Sequence, residues 1–189
     1  MIYIIDFGSQ TTHLIARRLK ELGSKIEIFE PDGVMSKIKK NPPQGIILSG
    51  GPSSVYEKGA PTLDKKIFNL NIPILGICYG MQLTAKLLGG EVVSGKKEYG
   101  PATLELSTIN DQLLTKLPEQ FTVWMSHGDE VLSMPESFEI LGSTKHVPYA
   151  FVRNKKKKIY GVQFHPEVEH TQNCLMIFQN FLKICNVTL

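Results

Sequence analysis

Four short runs rich in β-branched residues, IYIID, KIEIF, GIILS and PILGI, follow one another within the first 77 residues, with helical patterns among them. No other feature restricts the fold as strongly. Runs apolar on both sides, joined by helical crossovers, read as βαβ units in a parallel sheet covered on both faces. The crossover QTTHLIARRLKELG sets Ile15, Leu19 and Leu22 at i, i+4 and i+7, turns Arg17, Arg18 and Lys20 to water, and stops at Gly23. Further helical stretches are expected near TLDKKIFNL and MQLTAKLL. Beyond these the pattern becomes mostly β: EVVSG, ATLELS, FTVWMS, FEILGS, YAFVRN and IYGVQF read as strands between turns. A last amphipathic helix carries Cys174, Ile177, Phe178, Phe181, Leu182 and Cys185 on one face, which assigns both cysteines to the core. The expected class is α/β: an open mixed, largely parallel sheet with helices on both faces, plus an antiparallel β segment in the second half.

Composition narrows the function. With 189 residues, 42% of them hydrophobic, the chain can bury the core of one domain spanning 1–189, and no repeat or low-complexity linker divides it. Its 21 basic and 18 acidic side chains leave +3, too little for nucleic-acid binding by charge. No apolar run reaches membrane-spanning length. Cys78, Cys174 and Cys185 form neither an even disulfide set nor a CxxC pattern, and MIYIID lacks the features of a secretion signal. These features predict a reduced, cytoplasmic protein, in which the acceptor pattern Asn186-Val187-Thr188 stays unmodified.

PILGICYG places Cys78 where a buried strand stops and a helix begins, between Gly76 and Gly80. A cysteine among aliphatic residues is ordinarily a small hydrophobe. Here the G-x-C-x-G spacing has the logic of a nucleophile elbow: small neighbours permit the sharp turn, and the helix N-terminus favours a thiolate. A nucleophile needs an oriented base. YGVQFHPEV offers His165 and Glu167 at the end of another strand-like run, with Pro166 fixing the turn between them. IILSGGPSS runs a third strand into Gly50 and Gly51, where the Gly51 amide could face a developing oxyanion together with the Tyr79 amide.

These stretches together resemble the class I (triad-type) glutamine amidotransferases over essentially the whole chain, on GICYGMQ and QFHPEV above all. Within that family DFGSQ, SGGPSSVY, ICYGMQ, SHGDEV and HPEVEHT are similar to the amidotransferase domains of GMP synthetases. The resemblance implies that Cys78 attacks the side-chain amide of L-glutamine, with His165 and Glu167 completing the triad and Gly51 and Tyr79 forming the oxyanion hole. It implies substrate contacts at Gln82 and, in the segment Ser126 to Asp129, at His127, Gly128 and Asp129. The implied partner is a GMP synthetase ATP-pyrophosphatase domain or subunit that receives the ammonia. This chain would hold no cofactor or metal, and ATP and magnesium would belong to the partner. The stretch Gly90 to Lys96 approaches a phosphate loop, but Lys97 stands where Ser or Thr is required, and the strand context is wrong. The chain is therefore expected to be a separate subunit or the N-terminal part of a longer one, with weak glutaminase activity that rises when the partner is bound.

Two stretches depart from the family pattern. Lys97 lies where relatives commonly carry arginine, and QTTHLI differs from the usual residues after GSQ. His13 and His146 read as structural. His170 lies near His165 and Glu167 but lacks the helix-face spacing of a metal site. Lys155 to Lys158 read as a solvated hairpin turn rather than a docking patch. The rival functions are an amidotransferase serving another synthase, a related thiol hydrolase, and a non-catalytic regulatory module of the same fold.

Overall fold

The computed structural model describes residues 1–188, the side chain of Lys96 excepted. The chain begins β1 (Ile2–Ile5), α1 (Thr12–Glu21), β2 (Ile26–Phe29), α2 (Val34–Lys40), β3 (Gly45–Leu48), a 3₁₀ helix at Lys65–Asn69, β4 (Ile74–Ile77) and α3 (Tyr79–Leu87). It continues with β5 (Glu91–Leu106), a short 3₁₀ turn at Gln112–Leu114, β6 (Gln120–Ser133), β7 (Glu139–Ser143), β8 (Phe151–Asn154), β9 (Ile159–Val162) and α4 (Cys174–Ile184). All nine strands join one sheet in the order β2-β1-β3-β4-β9-β8-β7-β5-β6. Every pairing from β2 to β9 is parallel, and every pairing from β9 to β6 is antiparallel.

Side-chain alternation along the strands decides which helix covers which face. Ile2 and Ile4 of β1, Ile47 of β3, and Leu75 and Ile77 of β4 pack with α1 and α4. Tyr3 and Ile5, Ile46 and Leu48, and Ile74 pack on the opposite face with α2, the Lys65–Asn69 turn and α3. Burial holds these helices in place more than their ends do. Helix α1 has no acidic residue in its first turn and no side-chain cap, while Ile15 and Leu19 are fully buried. A cap contributes about 1 kcal/mol, and each buried aliphatic side chain about 1.5–3 kcal/mol.

Local details depart from the sequence reading. The helix expected near TLDKKIFNL is only a five-residue 3₁₀ turn. Helix α2 gives no clear periodic signal, because seven residues present only Val34 and Ile38 to the core. EVVSG and ATLELS are one continuous strand, and FTVWMS runs on through SHGDEVLS to Ser133, forming a long hairpin with a register shift between Ser94 and Glu98. Cys185 is buried as expected, but Cys174 is only half-buried, since the burial of α4 begins at Ile177. Arg18, expected in water, has a side chain only 12% exposed. His13 and His146 are exposed. The backbone from Gly90 to Lys97 leads into and along β5, so it forms no loop at a helix start; the Lys96 side chain that a phosphate loop would use lies outside the described residues.

Strands β1, β3, β4 and β9 run parallel, so the loops after them gather at one edge of the sheet. The crossover after β1 packs on one face and the one after β3 on the other, which opens a crevice at that edge.

Candidate active site

Cys78 follows β4 directly and has φ 50° and ψ −106°, a strained conformation for a residue with a side chain. Two glycines make the turn possible. A Cβ on Gly80 would lie 2.4 Å from the Leu48 carbonyl oxygen, and one on Gly76 would lie 2.8 Å from the Gly80 carbonyl carbon. Helix α3 thus sits against β3 and β4 at a distance no larger residue permits. The Cys78 amide donates to the Val162 carbonyl at 2.8 Å, tying the elbow to the end of β9. The Cys78 side chain is 6% exposed, and its Sγ lies 3.7 Å from the Ser126 carbonyl oxygen.

Because Ile77 pairs with Val162, the residues just past β9 leave the sheet beside Cys78. His165 is anchored there from two sides. Its amide donates to the Trp124 carbonyl at 3.0 Å, and its own carbonyl accepts from the Thr171 hydroxyl at 2.7 Å. Its Nδ1 lies 2.7 Å from Glu167 Oε1, and Glu167 is fully buried. Burial pushes the His165 imidazole toward its neutral form, but hydrogen bonds with Cys78 and Glu167 outweigh this and hold its pKa up to about 10. A Cβ on Gly50 would stand 3.2 Å from His165 Cε1 and 3.8 Å from Cys78 Cβ, so both side chains converge on that glycine. The arrangement is a thiol, an imidazole and a carboxylate in series, suited to nucleophilic acyl transfer.

Gly51 is held close to the elbow: a Cβ there would meet the Phe7 carbonyl oxygen at 2.7 Å and Tyr79 Cγ at 3.4 Å. The Tyr79 amide is the first of α3 and has no acceptor within its helix, and the Gly51 amide bonds to no backbone carbonyl. Both are available to an external oxygen. The Tyr79 ring itself points elsewhere, donating its hydroxyl to the Pro61 carbonyl.

A cleft of about 570 Å³ opens over Cys78, and Gly51, Gln82, His127, Gly128 and Asp129 also line it. Gln82 Nε2 donates to the Asp129 carbonyl at 2.9 Å and to Gln163 Oε1 at 3.2 Å, which leaves Gln82 its acceptor oxygen for a ligand. His127 is almost wholly buried; its Nδ1 donates to the Asp129 carbonyl, and its Nε2 faces Glu98 Oε2 at 3.4 Å without a hydrogen bond. It acts as a wall of the cleft. The Asp129 carboxylate accepts from the Tyr56 hydroxyl at 2.7 Å. Lys97 is exposed on the rim. Among the described residues no group of three or more His, Cys, Asp or Glu side chains is placed to hold a metal ion, and His170 instead stacks on Trp124.

Sequence reading passed over several residues that the fold brings here. Gln163 is fully buried and donates to Cys78 Sγ at 3.5 Å. Its place two residues before His165, in QFHPEV, was the available signal. Arg18 donates to the Glu167 carbonyl at 3.3 Å, and the Thr11 hydroxyl to Glu167 Oε1 at 2.6 Å; both come from the other end of the chain, and no local pattern marks them.

The fold and this edge define an α/β protein with a cysteine–histidine–glutamate constellation at the carboxyl ends of its parallel strands. A family model, glutamine amidotransferase class-I, matches residues 3–185, and the chain belongs to that family. It is 50% identical over 190 residues to a GMP synthase (glutamine-hydrolysing) of Staphylococcus carnosus, a match that covers 100% of this chain and 37% of that protein. The chain thus spans about a third of the length of such curated relatives. The crystal structure of a GMP synthase subunit from Thermoplasma acidophilum superposes with TM-score 0.89 at 37% identity, covering 98% of this chain and 93% of the other. A glutamine amidotransferase of Thermotoga maritima, 22% identical with TM-score 0.71 over 99% of this chain and 85% of its own, shares the fold.

Proposed function

We propose that this chain hydrolyses L-glutamine to glutamate and ammonia through Cys78, His165 and Glu167, and supplies the ammonia to a synthetase domain or subunit that converts XMP to GMP. The observation that carries this reading is the convergence of the strained Cys78 elbow and the His165–Glu167 pair at Gly50, at the foot of a cleft of glutamine-compatible size.

His165 is held protonated through neutral pH, and the species that attacks is the Cys78 thiolate beside it. Cys78 Sγ attacks the amide carbon, and the Gly51 and Tyr79 amides receive the oxyanion. His165 passes its proton to the departing nitrogen, the C–N bond breaks, and a γ-glutamyl thioester and ammonia result. Acylation removes the sulfur's hydrogen bond and charge, two of the influences that raise the His165 pKa. The imidazole can then take a proton from water as the oxygen attacks the thioester; glutamate is released, its carboxyl proton passing to solvent, and the Cys78 thiolate is returned beside the reprotonated imidazole. The Asp129 carboxylate on the cleft wall suits the substrate ammonium, and Gln82 Oε1 offers a second acceptor. ATP and magnesium act in the partner, residues 1–189 serve as one glutaminase domain, and the site of action is the cytoplasm.

Labelling with a reactive glutamine analogue tests the reading. A Cys78 adduct that excess glutamine suppresses is expected in peptide mass spectra, and glutamate release should be lost in Cys78→Ala. A folded protein that releases glutamate without Cys78 would overturn it. Release is further expected to rise when the synthetase and its nucleotide are present.

A further inference from the structure

Glu167 Oε1 accepts from two donors, His165 Nδ1 at 2.7 Å and the Thr11 hydroxyl at 2.6 Å, whereas Glu167 Oε2 is buried with no hydrogen-bond partner. The carboxylate is therefore oriented through one oxygen only. Thr11 occupies the N-cap position of α1, where a threonine side chain ordinarily accepts from a helix amide, but it makes no such bond. Its one proton goes to Glu167 instead.

The hydroxyl has its own support. Ser9 Oγ lies 2.9 Å from Thr11 Oγ1 and accepts from the Thr11 amide at 3.1 Å. Since the Thr11 proton is committed to Glu167, Ser9 must be the donor between the two hydroxyls. Asp6 Oδ1 holds the loop by accepting from the Gly8 and Ser9 amides at 2.9 and 3.2 Å and from the Thr12 hydroxyl at 2.8 Å. The proton donors run in one direction, from Ser9 to Thr11 to Glu167, and hydrogen bonds arranged in series reinforce one another.

We propose that Thr11, backed by Ser9, is a positioning residue for the reaction: its hydroxyl aims Glu167 Oε1 at His165, and through it keeps the imidazole directed at Cys78. This rests on the glutaminase reading above. Thr11 touches neither substrate nor sulfur; its effect should fall on turnover and leave substrate binding unchanged.

The test is steady-state glutamate release by the full-length protein, with its synthetase present, for Thr11→Val, Thr11→Ser and Cys78→Ala. Thr11→Val keeps the shape and removes the donor; kcat is expected to fall about tenfold, the loss of a hydrogen bond to a charged group, with KM within about twofold. Thr11→Ser restores the donor and should bring kcat back to within about threefold. Should Thr11→Val fail to fold, Thr11→Ala replaces it with the same expectation, since no helix cap is lost. Wild-type kcat in the folded donor-free variant, or an equal loss in Thr11→Ser, overturns the inference while Cys78→Ala remains inactive. Release that persists in Cys78→Ala overturns the glutaminase reading and this inference with it.

Discussion

Gly80→Ala is the most direct test of how the elbow is built. The new Cβ would lie 2.4 Å from the Leu48 carbonyl oxygen and 2.6 Å from Leu48 Cβ. Carbon and carbonyl oxygen rest about 3.3 Å apart or more, so either the start of α3 or the end of β3 must move by close to an ångström. Neither is free to do so: the Gly80 amide donates to the Ser49 carbonyl at 3.0 Å, and the Cys78 amide to Val162 at 2.8 Å. Overpacking of this kind costs about 1–3 kcal/mol, or roughly 2 to 12 °C of Tm for a chain of this length. Because Cys78 lies two residues away, the displacement reaches the nucleophile, and misplacement on that scale lowers kcat by up to about a hundredfold. Thermal melts with glutamate-release kinetics provide the assay. Gly89→Ala is the control: Gly89 has φ +97° and nothing within 4 Å of its Cβ position, so strain alone should lower its Tm with kcat unchanged. Wild-type kcat and Tm in Gly80→Ala would refute the argument that close backbone approach shapes the elbow.

Four further outcomes follow from the same geometry. The His165 imidazole should stay protonated past pH 8 and titrate near 10, and in Glu167→Gln it should titrate lower; a wild-type NMR titration near 6.5 would sink the ion-pair mechanism. Since the folded pKa lies above the unfolded one, the associated stability is full below about pH 6.5 and declines as pH rises through about 10, which melts across that range can check. Gln163→Leu removes the donor to Cys78 Sγ and leaves a Gln82 N–H unpaired, so a loss of about 1–3 kcal/mol in denaturant melts and a lower kcat are expected; unchanged turnover would show the contact to be passive. Tyr56→Phe frees the Asp129 carboxylate and should raise KM for glutamine about threefold to tenfold with kcat unchanged, while a fall in kcat alone would place Tyr56 elsewhere in the reaction.

Much of the fold and the centre of the candidate site could be read from the sequence because the relevant signals are local. Ile2 to Ile5, Ile46 to Leu48 and Ile74 to Ile77 are apolar without interruption, as strands buried on both faces must be. Gly76 and Gly80 bracket Cys78 within five residues, and His165 and Glu167 are two apart, so the spacing itself carries the geometry. Lys155 to Lys158 likewise form the turn between β8 and β9 that a run of charge between two strands suggests. Short-range steric rules act on short stretches, and these were enough to mark the elbow and its partner.

The rest depended on residues far apart in the chain. SHGD became part of a strand because β6 pairs along nearly its whole length with β5, and in the crossover to β4 the segment Lys65–Asn69 forms a 3₁₀ turn that buries only Ile67 and Phe68. Cys174 is only half-buried because the burial of α4 begins at Ile177, nearly one turn further on. Thr11 and Glu167 are 156 residues apart, Arg18 and Glu167 149, Gln163 and Cys78 85. No periodicity connects such pairs. By itself the sequence determined the buried parallel strands, the helices α1, α3 and α4, and where a nucleophile could stand, since backbone sterics and side-chain burial act residue by residue. Only the packing of parallel strand ends at one edge decided which side chains surround that nucleophile, since a hydrogen bond to a buried carboxylate exists only when the fold closes around both partners.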